Sequence, residues 1–550
     1  MTVIRKTHAL LSLVLLACAG AMPTAHSAKA DDQAAPRSNI LLIVADDLGY
    51  ADLGSFGSSI ATPNLDALAG EGIRFTNFHT AVMCAPTRAM LLSGNNNHVA
   101  GMARQGRVGI LGRPMAGYEN HLSDRVLPMP RLLQEAGYHT YITGKWHLGT
   151  GDDHSPRKMG FERSFTILEG AGNHWDDRGI YPGGSTYRLD GELTGWPEGR
   201  YSTDLYTEKL IEFIDGNAGD GRPFFAFAAY TSPHWPLQVP LDELDRYAGQ
   251  YDAGYDALRE ENFANLKAAG IVPESWTLPP RYEGITPWDE LGEEQQRVEA
   301  REMELYAAMV SNLDHHVGRL LAYLESQGLR DNTLIVFMSD NGAAAEDFYN
   351  EDFWGVLHEH ATANYENTFE TMGHPDSFVS YGDAWAEAGS APFKRRKTFA
   401  TEGGMTAPMI VAGTGVTGAG SINREFLTVM DLAPTFLDLA GATYPEREDI
   451  EPMRGKSLRA FWAGETEAVH GDEYVTIHAH GAQAMLRRGD WKLLNTEFPF
   501  DESTLELFNL ARDPGETTNL RDQEPEIFQE LLDLWRSERR AAGIVLPQDL

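Results

Sequence analysis

The sequence predicts an α/β protein: a large domain built on a mostly parallel sheet flanked by helices, followed by a smaller C-terminal domain with an antiparallel sheet and a helix. Three observations carry this expectation. A continuous apolar run, NILLIVADD, starts at Asn39 and stops abruptly at Asp46 and Asp47, as a strand buried on both faces does where it leaves its sheet. Four later segments repeat the pattern of an apolar strand with polar or charged residues at one end. Beyond about 441 the pattern changes to short strands and one terminal helix.

At 550 residues, 42% of them hydrophobic, the chain has ample material for a large core and a smaller companion. Its formal charge of -35 makes nucleic acid and anionic membranes poor partners. An anionic substrate would therefore need locally placed lysines and arginines.

The N-terminus reads as a signal peptide over 1–30 with a linker at 31–37. Arg5 and Lys6 precede the apolar run ALLSLVLLA, and Ala28-Lys29-Ala30 offers small residues at the positions a signal peptidase reads. The run is too short for a permanent transmembrane span, so the expected location is periplasmic or secreted. A competing reading takes LLAC as a lipoprotein box, with a lipid anchor on Cys18. Cys18 and Cys84 are the only cysteines, which excludes an internal disulfide framework in the exported protein.

Following the chain, Gly49 and Gly54 mark a loop, a helix is expected at about 63–69, and IRFTNFHTA reads as a strand. Then comes CAPTRAMLLSG (84–94), where Pro86 suits the first turn of a helix and Ala89 to Leu92 carry it into an interior. Cys84 thus stands where free N–H groups and the helix dipole favour negative charge, and Arg88 follows one turn on. GYHTYITGKWHLG places Lys145 and His147 just past a strand, and RPFFAFAAYTSPHWP does so for His234. TLIVFMSDNG ends in Asp340 and Asn341, and TFATEGGMTAPMIVAG has Lys397 just ahead of its glycines. Within PFKRRK only the distance to TEGG favours Lys397 over its basic neighbours.

Taken singly, each residue has an ordinary explanation: aspartates cap helices, Asp-Asn-Gly makes turns, lysines are solvated. Their joint recurrence at strand ends is what points to a site, because ligands of open parallel sheets bind beyond the carboxyl ends of the strands. Asp46, Asp47, Asp340 and Asn341 offer only oxygen, which suits Ca²⁺, with Mg²⁺ the runner-up.

A helix over 299–327 has apolar residues at helical spacing and reads as core packing, with His315 and His316 structural or exposed. Residues 343–392 lack regular pattern but are rich in aromatics, including Phe348, Trp354, Tyr381 and Trp385. They are expected either to build an apolar pocket over the site or to pack the segment down. MDLAPTFLDLAG (430–441) reads as a helix closing the large domain, and a Pro-, Glu- and Arg-rich connection runs to about 455. Short strands are expected in EYVTIHAHG, QAMLRRGDWKLLN and LELFNL, then a helix near 524–541. The domains are thus expected at 38–455 and 456–550.

The pattern C-x-P-[ST]-R-x-x-x-[LM]-[ST]-G resembles the first signature of the type I sulfatases, and GYHTYITGKWHLG their second. GFERSF, SPHWPLQ, MELYAAMVSNLDHHVGRLLAYL, FMSDNGA and RRGDWKLL also resemble bacterial arylsulfatases of the alkaline phosphatase superfamily. The resemblance implies that a maturation enzyme converts Cys84 to formylglycine. It further implies that the hydrated aldehyde sits on the metal with Asp46, Asp47, Asp340 and Asn341, and attacks the sulfur of a small anionic sulfate ester. Arg88 would fix the hydrate, Lys145 and Lys397 grip the sulfate, His234 protonate the departing alcohol, and His147 release the sulfate. Two alternatives stay open: a formylglycine-dependent phosphonate monoester or phosphodiester hydrolase, and a non-catalytic anion-binding relative in which Cys84 remains a thiol.

Overall fold

The computed structural model describes residues 37–105, 113–546 and 549, all within one compact unit, Arg37–Leu550. The leader and Cys18 lie outside the described residues. Among the described residues, fifteen strands run in chain order: β1 (Asn39–Ala45), β2 (Ile73–His79), β3 (His139–Lys145), β4 (Arg163–Ile167), β5 (Tyr187–Leu189), β6 (Glu192–Thr194), β7 (Phe224–Ala229), β8 (Thr333–Ser339), β9 (Thr406–Gly413), β10 (Ser421–Asn423), β11 (Leu427–Thr428), β12 (Val475–His480), β13 (Gln483–Arg488), β14 (Trp491–Asn495) and β15 (Glu506–Asn509).

The first eleven make one sheet in the order β10-β2-β9-β8-β1-β7-β3-β4-β5-β6, with β11 also on β2. β1 pairs in parallel with both β7 and β8, as its unbroken apolar run requires. Its side chains alternate: Leu41, Ile43 and Ala45 enter the core on one face, Ile40, Leu42 and Val44 the core on the other. Each such large aliphatic chain contributes about 1.5–3 kcal/mol on burial. Within this sheet β9 is antiparallel to both neighbours, β2 and β8. One face is covered by the helices Ser202–Asp215 and Glu293–Ser326, the other by Cys84–Ser93, Met129–Glu135 and Leu432–Ala440.

The C-terminal strands form a separate antiparallel sheet, β12-β13-β14-β15. The amphipathic helix Pro525–Ala542 buries Phe528, Leu531, Leu532 and Trp535 against it. On the other side Met485, Leu494 and Phe508 meet Val82, Met83, Ala400 and Met405 of the large sheet's loops. Beside this contact the fully buried Lys492 bonds Glu402 at 2.6 Å and Glu516 at 2.7 Å, and Glu402 also meets His79 at 2.7 Å.

Several boundaries differ from expectation. The long helix begins at Glu293, because its first turns are polar and carry no apolar period, while Glu293 and Glu294 suit a helix N-terminus. QAMLRRGDWKLLN is two strands, broken where Gly489 takes a left-handed φ of 56°. Residues 343–392 contain a short 3-10 turn, Asp352–Trp354, and the helices Val356–Asn364 and Gly382–Gly389. Their aromatics divide between both expected roles. Trp385 is packed edge-on by Tyr251, Tyr255 and Trp288, and Tyr381 stacks on Tyr306 at 4.5 Å. Phe348 and Trp354 instead line a cavity.

Candidate active site

One edge of the large sheet collects the predicted residues. Asp46 and Asp47 follow β1, Asp340 and Asn341 follow β8, Lys145 ends β3 with His147 just beyond, and His234 lies past β7. Cys84 opens the helix after β2. Lys397 arrives by a different route: β9 runs antiparallel to β8, so the segment entering β9 lies at the edge where β8 ends.

All of these side chains are buried except His147, which is half-buried, and the contacts of the others form a connected set. Lys145 Nζ lies 2.7 Å from both oxygens of Asp46. Arg88 donates Nε and NH2 to one oxygen of Asp340, at 3.1 and 2.8 Å, and NH1 to the Lys145 carbonyl at 2.9 Å. The other Asp340 oxygen accepts the Asp47 N–H at 3.1 Å. Asp47 accepts from Lys397 Nζ at 2.7 Å and from Asn341 Nδ2 at 2.6 Å, with His234 Nε2 at 3.2 Å and Cys84 Sγ at 3.7 Å. Asp47 and His147 both hold left-handed backbones, φ 65° and 58°, a conformation uncommon outside glycine that recurs at functional sites. The His147 ring lies so close to Gly170 that a Cβ there would sit 2.4 Å from it.

Burial pushes the Asp46 carboxyl up to about 8; Lys145 opposes the rise, and Asp340 and Asp47 add to it. Burial also drives the Cys84 thiol far up, against the pull of Lys145 and Lys397. The helix start therefore does not make a thiolate of Cys84, contrary to the expectation from the dipole. Burial, with the nearby cations Lys145, Arg88 and Lys397, drives His147 well below its usual range, and burial with Lys397 and Lys145 does so for His234. His234 Nδ1 donates to the Trp235 carbonyl oxygen at 2.6 Å, while its Nε2 faces Asp47.

A cavity of about 230 Å³ opens onto Cys84. His147, His234 and Lys397 line it with Trp235, Phe348 and Trp354, but so do Tyr181, Glu346 and His480, which sequence reasoning missed. Glu346 stands alone in an irregular stretch, and His480 comes from β12 of the other sheet. His316 is buried elsewhere and His315 is exposed, as expected.

The donor set could hold a metal ion. Ligand atoms of Asp46, Asp47, Cys84 and His234 lie within 4.8 Å of one another, and Asn341 Oδ1 is buried without a partner. Asp340 adds a third buried carboxylate beside them. Crowded, dry carboxylates with a spare amide oxygen are what such an ion would neutralise.

The family model described as Sulfatase matches residues 38–442. The chain belongs to the sulfatase family. A second model, N-sulphoglucosamine sulphohydrolase, C-terminal, matches 393–538 of this sulfatase. It is 38% identical over 538 residues to an uncharacterized sulfatase of Schizosaccharomyces pombe, covering 93% of this chain and 95% of that one. It is 37% identical over 460 residues to the arylsulfatase of Klebsiella aerogenes, covering 81% and 96%. Among solved structures it resembles Ps i-CgsB, determined with k-i-k-neocarrahexaose, at TM-score 0.64 and 25% identity over 92% and 93% of the two chains. The phosphonate monoester hydrolase of Agrobacterium radiobacter shares the fold, at TM-score 0.55 and 19% identity over 92% and 96%. The enzyme hydrolyses sulfate esters, and no helix among its described residues is long and apolar enough to cross a membrane.

Proposed function

We propose that this sulfatase cleaves small aryl or alkyl sulfate monoesters, using a formylglycine made from Cys84. The observation that carries the reading is the small, partly aromatic cavity that ends on Cys84 and is lined by Lys397, His147 and His234. As a buried thiol of raised pKa, Cys84 is a poor nucleophile. Converted, it would supply a hydrated aldehyde, one hydroxyl for attack on sulfur and one for releasing the sulfate.

Asp46, Asp47, Asp340 and Asn341 would hold Ca²⁺, in preference to Mg²⁺, and the ion would supply charge neutralisation for nucleophile and sulfate. Lys145 and Lys397 then face the sulfate oxygens, where charge builds in the transition state. Arg88 orients the residue at 84 while binding Asp340, whose carboxylate is the proton acceptor near it. His234, once it also bears a proton on Nε2, gives that proton to the departing alcohol, and His147 accepts the proton as sulfate leaves. Residues 38–455 supply this machinery and 456–550 brace it. The leader directs export to the periplasm or beyond, and a formylglycine-generating enzyme acts on Cys84 beforehand.

The test is the mass of the tryptic peptide containing Cys84 from protein made in its own host, paired with rates on aryl sulfate and aryl phosphonate esters. Loss of the thiol to an aldehyde, with faster sulfate turnover, is expected. An unmodified cysteine in active protein would refute the mechanism.

A further inference from the structure

The cavity lining carries, 3.9 Å from the Lys397 ammonium, a carboxylate whose bonding is incomplete. Glu346 Oε1 is buried with no partner, while the carboxylate receives a long bond, 3.4 Å, from Trp235 Nε1 to Oε2 and a contact from its own backbone N–H. Lys397 does not satisfy it: that ammonium is 3.9 Å away and committed to Asp47 at 2.7 Å. Arg396 in turn bonds Asp383. Burial opposes the Glu346 charge, yet Lys397 and Arg396 hold its carboxyl below the ordinary range, so the group is an anion. A buried anion short of hydrogen bonds is costly unless something that enters the cavity completes its shell.

The rings around it narrow what that is. Trp235 and Phe348 meet at 4.7 Å between centroids, Phe348 and Trp354 at 4.8 Å, and all three line the same cavity as Glu346. Aromatic faces beside a carboxylate attract a cation and repel a second anion. With sulfate drawn to the cationic end, the alcohol part of a bound ester faces this wall.

We propose that Glu346 and the rings of Trp235, Phe348 and Trp354 form an ammonium subsite, so that the enzyme selects sulfate monoesters whose alcohol part carries a positively charged amine. This rests on the reading of the cavity as the seat of a small sulfate ester. The substrate is then a zwitterion, its sulfate matched to Lys145 and Lys397 and its ammonium to Glu346.

The test compares 4-(aminomethyl)phenyl sulfate with 4-methylphenyl sulfate on the Cys84-converted enzyme and on its Glu346→Gln variant. Wild type is expected to favour the amine in kcat/KM by about tenfold or more, and Glu346→Gln to bring that ratio within about twofold of one, whatever it does to absolute rate. A wild-type ratio near one, with the methyl ester turned over, overturns the ammonium subsite and leaves the small-ester reading standing. A preference that survives Glu346→Gln also overturns it, and an equal loss on both esters would make Glu346 a support for Lys397 instead. Turnover of neither ester would overturn both readings.

Discussion

Lys145 and Asp46 form a sealed ion pair: the ammonium sits 2.7 Å from each carboxylate oxygen, and neither side chain is touched by solvent. Removing one partner of such a pair leaves an uncompensated buried group, at a cost of about 3–5 kcal/mol. Lys145→Ala should therefore lower stability by that order and slow sulfate-ester turnover about 10²–10³-fold. A Lys145→Met, Asp46→Asn double variant should recover most of the stability and none of the rate. Urea unfolding and kcat measured on the same samples separate the two effects.

Metal removal should act on fold and rate together. Chelation leaves Asp46, Asp47 and Asp340 crowded without a cation, so the melting temperature should fall and activity vanish. Re-addition of Ca²⁺ at about 100 times its Kd should restore about 2.7 kcal/mol. Recovery with Ca²⁺ but not Mg²⁺, followed by thermal melts and turnover, is the expected order. Full activity after exhaustive chelation would refute an oxygen-ligated metal.

The two fates of the aromatics in residues 343–392 give opposite signatures. Phe348→Ala should raise KM for 4-nitrophenyl sulfate about tenfold, since it strips the cavity wall. Trp385→Ala should instead cost about 3–5 kcal/mol of stability and leave KM unchanged in the folded protein. Equal effects on KM from both would mean that the segment acts only by packing.

Asp52 sets a stability limb in mildly acidic solution. Burial raises its carboxyl from 3.8 to about 6, although Tyr306 and the Gly49 N–H bond it. A folded pKa above the unfolded one means that its stabilising share is complete below about pH 4 and is lost as pH rises to about 6. The loss is about 3 kcal/mol, and above pH 6 it is constant. Unfolding free energy measured from pH 4 to 8 should show this decline in wild type and not in Asp52→Asn.

What could be read beforehand depended on whether a residue's meaning lay near it in the chain. NILLIVADD declares both a buried strand and its end, so Asp46 and Asp47 were legible, as were Lys145, His234 and Asp340 behind similar runs. Lys397 was picked out of PFKRRK only by its distance from TEGG. Its true reason for reaching the site, the reversed direction of β9, leaves no mark on side-chain periodicity. Glu346 and His480 were invisible for a related cause, since each matters through neighbours far away in sequence. The helix start at Cys84 is a local feature and could be read, whereas the burial that raises its thiol belongs to the whole fold and could not.

Lys492 belongs to the small sheet, yet the carboxylate it neutralises, Glu402, sits in the turn between Lys397 and β9. A protein cut off before β12 would lose that cation and the Met485, Leu494 and Phe508 side chains that cover Ala400 and Met405, leaving Glu402 without its ammonium partner beside His79. The last hundred or so residues are thus no detachable module. Any shortened version made for expression or grafting forfeits part of the footing of the segment that carries Lys397.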